Sequence, residues 1–212
     1  IKNIYAPGTR YQNFFLKKKN KLYKNFFSKS IDSVDEAASL TKKILKIDNI
    51  EFIPLKYNAN IDEKLVGICI ACSGSEKQWG KENYVKLINF LIENQYNKFL
   101  LLSGKDQSNL ENAIISNYSD QIIFIDTSKK SIGEVIPDLK KCKFVIGNDT
   151  GFSHLSVAYN KKTYVILGDC PPHTYSNLII NIDKDEEVER SINSIKSIKI
   201  EKVLNRLNKN FI

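Results

Sequence analysis

The run Phe144-Val145-Ile146-Gly147-Asn148-Asp149-Thr150-Gly151-Phe152-Ser153-His154 sets a carboxylate, a hydroxyl, a glycine and an imidazole at the end of an apolar stretch. The residues that follow, Phe152, Leu155, Val157 and Ala158, have the spacing of one helix face. In open α/β sheets, ligands bind beyond the carboxyl ends of strands, where the next helix presents unpaired backbone N–H groups. A carboxylate at that place accepts hydrogen bonds from hydroxyls. The helix start and its small residues favour negative charge. The combination fits a sugar joined to a phosphate. His154, one turn into the helix, reads either as part of that site or as a core histidine.

Two more junctions carry polar residues that converge if the strands are parallel. Cys72-Ser73-Gly74-Ser75-Glu76-Lys77-Gln78-Trp79 combines small residues, hydroxyls and one cation, which suits close approach to a phosphate. It has neither the Gly-Lys-Ser/Thr spacing of a P-loop nor a dinucleotide-type glycine pattern. Trp79, the sole tryptophan, reads as a staple under the next helix. Ser103-Gly104-Lys105-Asp106-Gln107 places Asp106 where a carboxylate accepts the hydroxyls of a ribose, or where an ordinary helix cap would sit.

The elements that must position these loops alternate regularly from Leu65 onward. Near-continuous apolar runs predict strands over 65–71, 98–103, 121–126, 143–147, 162–167 and 177–182. Helical spacing predicts helices over 81–94, 107–117, 132–141, 151–159 and 198–208. Strand–helix alternation with short connections indicates an α/β, Rossmann-like, doubly wound parallel sheet. Ser131-x-x-Glu134 forms a capping box, but Pro137 inside that helix predicts a kink or a late start. Upstream, Ser33-x-x-Glu36 opens a predicted helix over 33–45, Glu51 to Leu55 reads as a short strand, and 56–64 reads as a polar linker. These features divide the chain into 1–60, 61–195 and a C-terminal helix over 196–212.

The chain has 212 residues, of which 42% are hydrophobic, enough for a full core in one or two domains. No apolar run approaches the ~20 residues that span a bilayer, and no signal peptide is visible. The net charge is +8, which favours anionic partners such as nucleotides, although the lysines are scattered and largely read as solvated. The exception is Lys17-Lys18-Lys19-Asn20-Lys21, flanked by Phe14, Phe15, Tyr23, Phe26 and Phe27, which suits a neighbouring domain or a membrane interface. The four cysteines include one Cys-x-x-Cys, Cys69 and Cys72, at a strand end rather than at a helix start. Buried, reduced thiols are therefore expected, with no zinc site. A first residue Ile1 and the lack of methionine suggest part of a longer or processed protein.

Taken together, the junctions resemble glycosyltransferase family 9, the lipopolysaccharide heptosyltransferase-like enzymes. The resemblance rests on Ser73 to Trp79, Gly104 to Asp106, Asp149-Thr150-Gly151-Phe152-Ser153-His154-Leu155 and Val165-Ile166-Leu167-Gly168, and it covers residues 65–175. It implies a GT-B fold, in which two Rossmann-like domains face a cleft and the C-terminal one holds the nucleotide-sugar donor. Most of the N-terminal domain would then be absent, with 1–60 as its last portion. It further implies that Ser75 and Lys77 hold the diphosphate and that Ser73 and Gly74 shape their loop. Asp106 would hold the ribose, and the backbone at Lys130 and Ser131 would read the base. Asp149 would bind donor-sugar hydroxyls, Thr150 and Gly151 would offer N–H groups to phosphate, and His154 would support that turn or touch the phosphate.

The activity so implied is inverting, metal-independent transfer of a sugar, expected to be heptose from ADP-heptose. The acceptor would be a lipopolysaccharide or other cell-envelope glycan or glycolipid. No cofactor and no nucleic-acid partner are expected. The implied location is the cytoplasm, with the inner-membrane surface as a candidate contact. No catalytic base is named, because the family's carboxylate near the start of its N-terminal domain has no counterpart here. The chain also departs from the family's Gly-Pro-Thr at Gly168-Asp169-Cys170-Pro171-Pro172-His173, which leaves His173 an unassigned candidate. Other GT-B chemistry, such as a UDP-sugar transferase, hydrolase or epimerase, and a catalytically silent binding module are the remaining readings.

Overall fold

The computed structural model describes residues 4–6, 23–25, 38, 41–104, 107–191 and 193–211. It divides into two compact units, one of residues 1–52 with 173–175 and one of 53–172 with 176–212. In the smaller unit, strands β1 (Ile4–Ala6) and β2 (Tyr23–Asn25) pair in parallel, and Ala38 and residues 41–45 are helical. Rings of His173 and Phe52 both lie against Tyr175, with centroids 6.0 and 5.2 Å away. The capping box at Ser33 and the basic aromatic stretch of 17–21 lie outside the described residues.

The larger unit is built on six parallel strands: β3 (Leu65–Cys69), β4 (Lys98–Leu102), β5 (Ile123–Asp126), β6 (Phe144–Asn148), β7 (Thr163–Ile166) and β8 (Ile179–Ile182). Their order across the sheet is β5-β4-β3-β6-β7-β8. The chain therefore winds outward from β3 in one direction and from β6 in the other. The connections on either side of the β3–β6 seam diverge, and this opens a crevice at the strands' carboxyl ends. All six predicted strands are present. The predicted strand at Glu51 to Leu55 is not: the segment is irregular, and Leu55 donates its N–H to the Ala158 carbonyl at 2.7 Å.

Period-2 alternation splits each central strand between two cores. On one face Val66, Ile68, Phe99, Leu101 and Ile146 pack with Tyr84, Leu87, Ile88 and Leu91 of helix α1 (Lys81–Glu93), whose spacing forms a single apolar stripe. Trp79 closes this core as a staple. It is 2% exposed, and its Nε1 donates to the Ile198 carbonyl at 2.7 Å. Ile114 of helix α2 (Ser108–Ile115) lies on the same side. On the other face Leu65, Cys69, Leu100, Leu102 and Val145 meet Val135 and Leu139 of helix α3 (Ile132–Lys141) and Phe152 and Leu155 of helix α4 (Gly151–Ala158). The C-terminal helix α5 (Ile200–Phe211) buries Val203 and Leu207 in the α1 core, so it belongs to the sheet unit.

Helix α3 corrects the expectation of a late start. It begins at Ile132 under its capping box, with Ser131 N–H donating to Glu134 Oε2 at 2.8 Å, and it carries Pro137 within it. Pro137 is the sixth of its ten residues, so the cost of the missing N–H is offset by the capping box, the Val135 N–H bond to Ser131 at 3.2 Å and the burial of Val135 and Leu139.

Gly147 is the tightest point of the sheet. It has φ +145°, and a Cβ placed on it would lie 2.1 Å from the Cys69 carbonyl oxygen of β3. Gly133 on α3 has nothing within 4 Å of such a Cβ. Gly147→Ala is expected to cost about 3 kcal/mol or more in urea unfolding, whereas Gly133→Ala is expected to gain about 0.5–1 kcal/mol. Equal effects at the two sites would contradict this account.

Candidate functional site

The polar ends of β3 and β6 are tied together at the centre of the sheet. Tyr84 Oη, fully buried, donates to Asn148 Oδ1 at 2.7 Å, and Asn148 Nδ2 donates to the Ala71 carbonyl at 3.2 Å. Burial pushes the Tyr84 phenol well above its ordinary pKa, which keeps it a donor. Thr150 caps α4, its Oγ1 accepting from Phe152 N–H at 3.2 Å while lying 2.9 Å from Cys69 Sγ. Ser153 Oγ donates back to the Asn148 carbonyl at 2.7 Å. These bonds hold the turn at Asp149 rigid and point the start of α4 into the crevice.

Two cavities share this crevice and have Cys72, Ser73 and Asp149 in common. The larger, about 560 Å³, is within the usual size of small-molecule sites. It has an apolar wall of Ala71, Ile132, Phe152 and Leu155 and a polar rim of Gly104, Gln107, Thr150 and Gly151. A flat, partly polar ring is the shape that such a wall accommodates. The smaller, about 70 Å³, is lined by Lys77, Asn148, Gly168, Asp169 and Cys170. That volume and a lysine suit a phosphate group.

Lys77 ends a 3-10 turn over Ser75–Lys77 that the chain makes just before Trp79 dives into the core. Gly74 shapes the entry to this turn, its carbonyl accepting from Lys77 N–H at 3.0 Å and from Cys72 Sγ at 3.1 Å. Lys77 Nζ meets Asp169 Oδ2 at 2.7 Å, and that bond raises the lysine pKa above its ordinary value. On the facing side, His154 Nε2 is 3.6 Å from Asp149 Oδ1, with Asp149 the more buried of the two. At that distance the imidazole lies beside the carboxylate, beyond direct hydrogen-bond reach.

The structure places Ser73, Gly74, Ser75, Lys77, Asp149, Thr150, Gly151 and His154 at the carboxyl ends of the strands, and of these Ser73, Lys77, Asp149, Thr150 and Gly151 line the cavities. Asp106 lies outside the described residues. Lys130 and Ser131 reach neither cavity. Their N–H groups bond inside the turn, to the Thr127 carbonyl at 3.0 Å and to Glu134, and Lys130 Nζ pairs with Asp138 at 3.2 Å. The residue of that segment on the cavity wall is Ile132, 63% exposed. Asp169, Cys170, Gln107 and Asn148 also went unassigned from sequence. For Asp169 and Cys170 the available signal was their place directly after an apolar strand.

Cys69 and Cys142 are buried as expected, whereas Cys72 and Cys170 are only half-buried, because they lie in the loops beyond the strand ends. Burial pushes Cys69 up to about 11, and burial with the nearby Asp149 carboxylate pushes Cys170 up to about 12, so both are neutral thiols. The Cys-x-x-Cys is part of the packed strand end, and the described cysteines are free.

These features define a polar crevice at the winding switch of a doubly wound α/β domain. The chain belongs to glycosyltransferase family 9 (heptosyltransferase), whose family model matches residues 15–202. It is 27% identical over 109 residues to lipooligosaccharide heptosyltransferase 2 of Haemophilus ducreyi, a match spanning 50% of this chain and 31% of that protein. It is 21% identical over 120 residues to lipopolysaccharide heptosyltransferase 2 of Escherichia coli, spanning 55% of this chain and 34% of that protein. The matched segment is thus about a third of each relative's length. Among solved structures, an Escherichia coli heptosyltransferase with ADP-2-deoxy-2-fluoro heptose aligns at TM-score 0.63 and 18% identity, covering 86% of this chain and 57% of that one. A family 9 glycosyl transferase from Veillonella parvula aligns at TM-score 0.67 and 14% identity, covering 92% and 64%. The fold is therefore that of the GT-B glycosyltransferases, whose α/β sheet this chain supplies.

Behind the β4–α2 turn sits a buried acid that sequence reading missed. Glu111 is 1% exposed, accepts from Ser103 Oγ at 2.8 Å through Oε2, and has no partner for Oε1 among the described residues. Burial, reinforced by the Asp126 carboxylate and opposed by Ser103, raises its pKa from 4.5 to about 7. The unfolded chain releases this proton first, so stability falls as pH climbs through that window. The expected loss is at most about 3 kcal/mol between pH 4.5 and 7.5, and Glu111→Gln should flatten the slope in pH-dependent urea unfolding. An unchanged slope would show that the acid is ionised throughout.

Proposed function

We propose that this chain is the donor-binding part of an inverting, metal-independent glycosyltransferase that transfers a sugar from a nucleoside-diphosphate sugar to a cell-envelope glycan. The single observation that carries this reading is the convergence of Lys77, Asp149 and the Thr150-capped start of α4 on two joined cavities at the β3–β6 seam. The larger cavity has the apolar wall for a base and the smaller one the cation for a diphosphate. ADP-heptose is the favoured donor, because a structural neighbour was solved with an ADP-heptose analogue and the matched relatives are heptosyltransferases. A lipopolysaccharide or related glycolipid is the proposed acceptor on the same ground.

In this reading Lys77 and the N–H groups of Thr150 and Gly151 neutralise the departing diphosphate, in place of a metal. Asp149, with His154 beside it, accepts hydrogen bonds from sugar hydroxyls and fixes the anomeric carbon. The acceptor oxygen attacks that carbon from the face opposite the diphosphate. The new C–O bond forms as the bond to the phosphate oxygen breaks, and the bonding pair leaves with the diphosphate. The acceptor hydroxyl's proton passes to a general base, to which no residue of this chain is assigned. A cytoplasmic location follows from the activated donor. No helix among the described residues is long and apolar enough to cross a membrane.

Calorimetric titration with ADP, UDP and GDP tests the reading. ADP is expected to bind most tightly, and Lys77→Ala to weaken it at least about tenfold through loss of a charge-assisted bond. Asp149→Asn should weaken ADP-heptose more than ADP, because its partners are sugar hydroxyls. Well-folded protein that binds none of the three nucleotides would sink the assignment, and a preference for UDP or GDP would redirect it to another sugar-nucleotide donor.

A further inference from the structure

Asp169 has no evident place in a site that must accept a diphosphate. The walls of the smaller cavity carry Asp149 and Asp169 against Lys77, so they hold more negative than positive charge before any donor arrives. Lys77 and Asp169 are about equally exposed, 32% and 35%, and their 2.7 Å contact lies on the cavity wall itself. An entering phosphate oxygen therefore competes with a carboxylate already on the ammonium.

The backbone around Asp169 is locked, which makes that competition a fixed property of the loop. Arg190 Nη1 donates to the Gly168 carbonyl at 3.3 Å and also to the Cys170 carbonyl, clamping the residues on both sides. Its Nη2 is held in turn by Asp183 Oδ2 at 2.5 Å, just past β8. Behind the loop, a Cβ on Gly168 would lie 3.1 Å from the Ile195 side chain, so the segment has no room to retreat. Only side-chain rotation of Asp169 or Lys77 can free the cation.

We propose that Asp169 is a built-in counter-anion: it occupies Lys77 in the empty site, is displaced by the donor's diphosphate, and returns to speed nucleotide release. This rests on the donor-site reading above. A site whose competent state is only a minor fraction binds its ligand more weakly by that fraction. A part-exposed ion pair is strong enough to impose a penalty of this kind without blocking entry. As the diphosphate withdraws, the carboxylate recaptures the ammonium, which favours dissociation after transfer.

The test compares wild type, Asp169→Asn, Asp169→Ser, Lys77→Ala and the Asp169→Asn/Lys77→Ala double variant, with ADP and with inorganic pyrophosphate as separate probes. Removing the charge is expected to tighten both ligands about five- to tenfold and to slow ADP dissociation in stopped flow. The gain should vanish in the Lys77→Ala background, because the carboxylate acts through that lysine. Asp169→Ser, which is too short to touch the ammonium, keeps the test open if the Asn variant fails to fold. Unchanged or weaker binding in the folded Asp169 variants overturns the proposal, and weaker binding would make Asp169 a residue that aims Lys77 at the phosphate. The two readings separate cleanly. Wild type that binds ADP with no response at Asp169 leaves the donor site standing and removes the counter-anion. Pyrophosphate binding gained on removing Asp169, without nucleotide binding in any variant, does the reverse.

Discussion

Strands β3 and β6 lie side by side at the centre of the sheet, and their approach at Cys69 and Gly147 sets everything downstream of both. Any side chain at Gly147 would collide with the Cys69 carbonyl, so only glycine lets the two strand ends finish level. Because they do, Asn148 can reach the Ala71 carbonyl, and Thr150 can reach Cys69. The loops that follow, 71–77 and 149–151, then face each other across a narrow crevice. The order of the sheet puts the switch in winding direction at this seam, so helices α1 and α4 leave on opposite faces and do not cover it.

Around that crevice the polar groups differ in how they are held. Asn148 and Tyr84 are buried and mutually hydrogen-bonded, which gives them a structural part even though they sit beside the cavities. Lys77, Asp149, Asp169 and His154 keep partial solvent access and pair with one another across or along the walls. A group that must exchange a protein partner for a ligand has to remain part-exposed, since full burial would make breaking its pair too costly. The thiols of Cys69, in the core beneath the crevice, and Cys170, on the smaller cavity's wall, are raised out of the reactive range by burial, so neither adds charge. Glu111 shows the same rule in reverse: buried and short of partners, it relieves the cost by keeping its proton.

Much of this was legible from residue order. Near-continuous apolar runs marked the six parallel strands, most clearly the central ones, because strands covered on both faces need no alternation. The i, i+3, i+4 and i+7 spacing of Tyr84, Leu87, Ile88 and Leu91 marked α1, and Ser131 with Glu134 marked the start of α3. Local signals failed where tertiary context decided. Phe52, Ile53 and Leu55 read as a strand, yet the segment is irregular, and Pro54 within it has no N–H to give to a ladder. Pro137 argued against a full helix, but a well-capped first turn and a buried face with Val135 and Leu139 outweighed it.

The sequence by itself determined the parallel α/β sheet, the polar strand-to-helix junctions and the family, because periodicity and short motifs are local properties of the chain. It also marked Asp149 and Thr150, directly after a strand, and Lys77, at the end of the loop that follows another. Only the tertiary structure decided which distant groups share a space. Lys77 and Asp169 are 92 residues apart in the chain, and nothing in either neighbourhood predicts a 2.7 Å contact. The same holds for Ile132 on the cavity wall and for Glu111 beside Asp126. Their roles depend on which strand lies next to which, and that is set by the packing of the whole sheet.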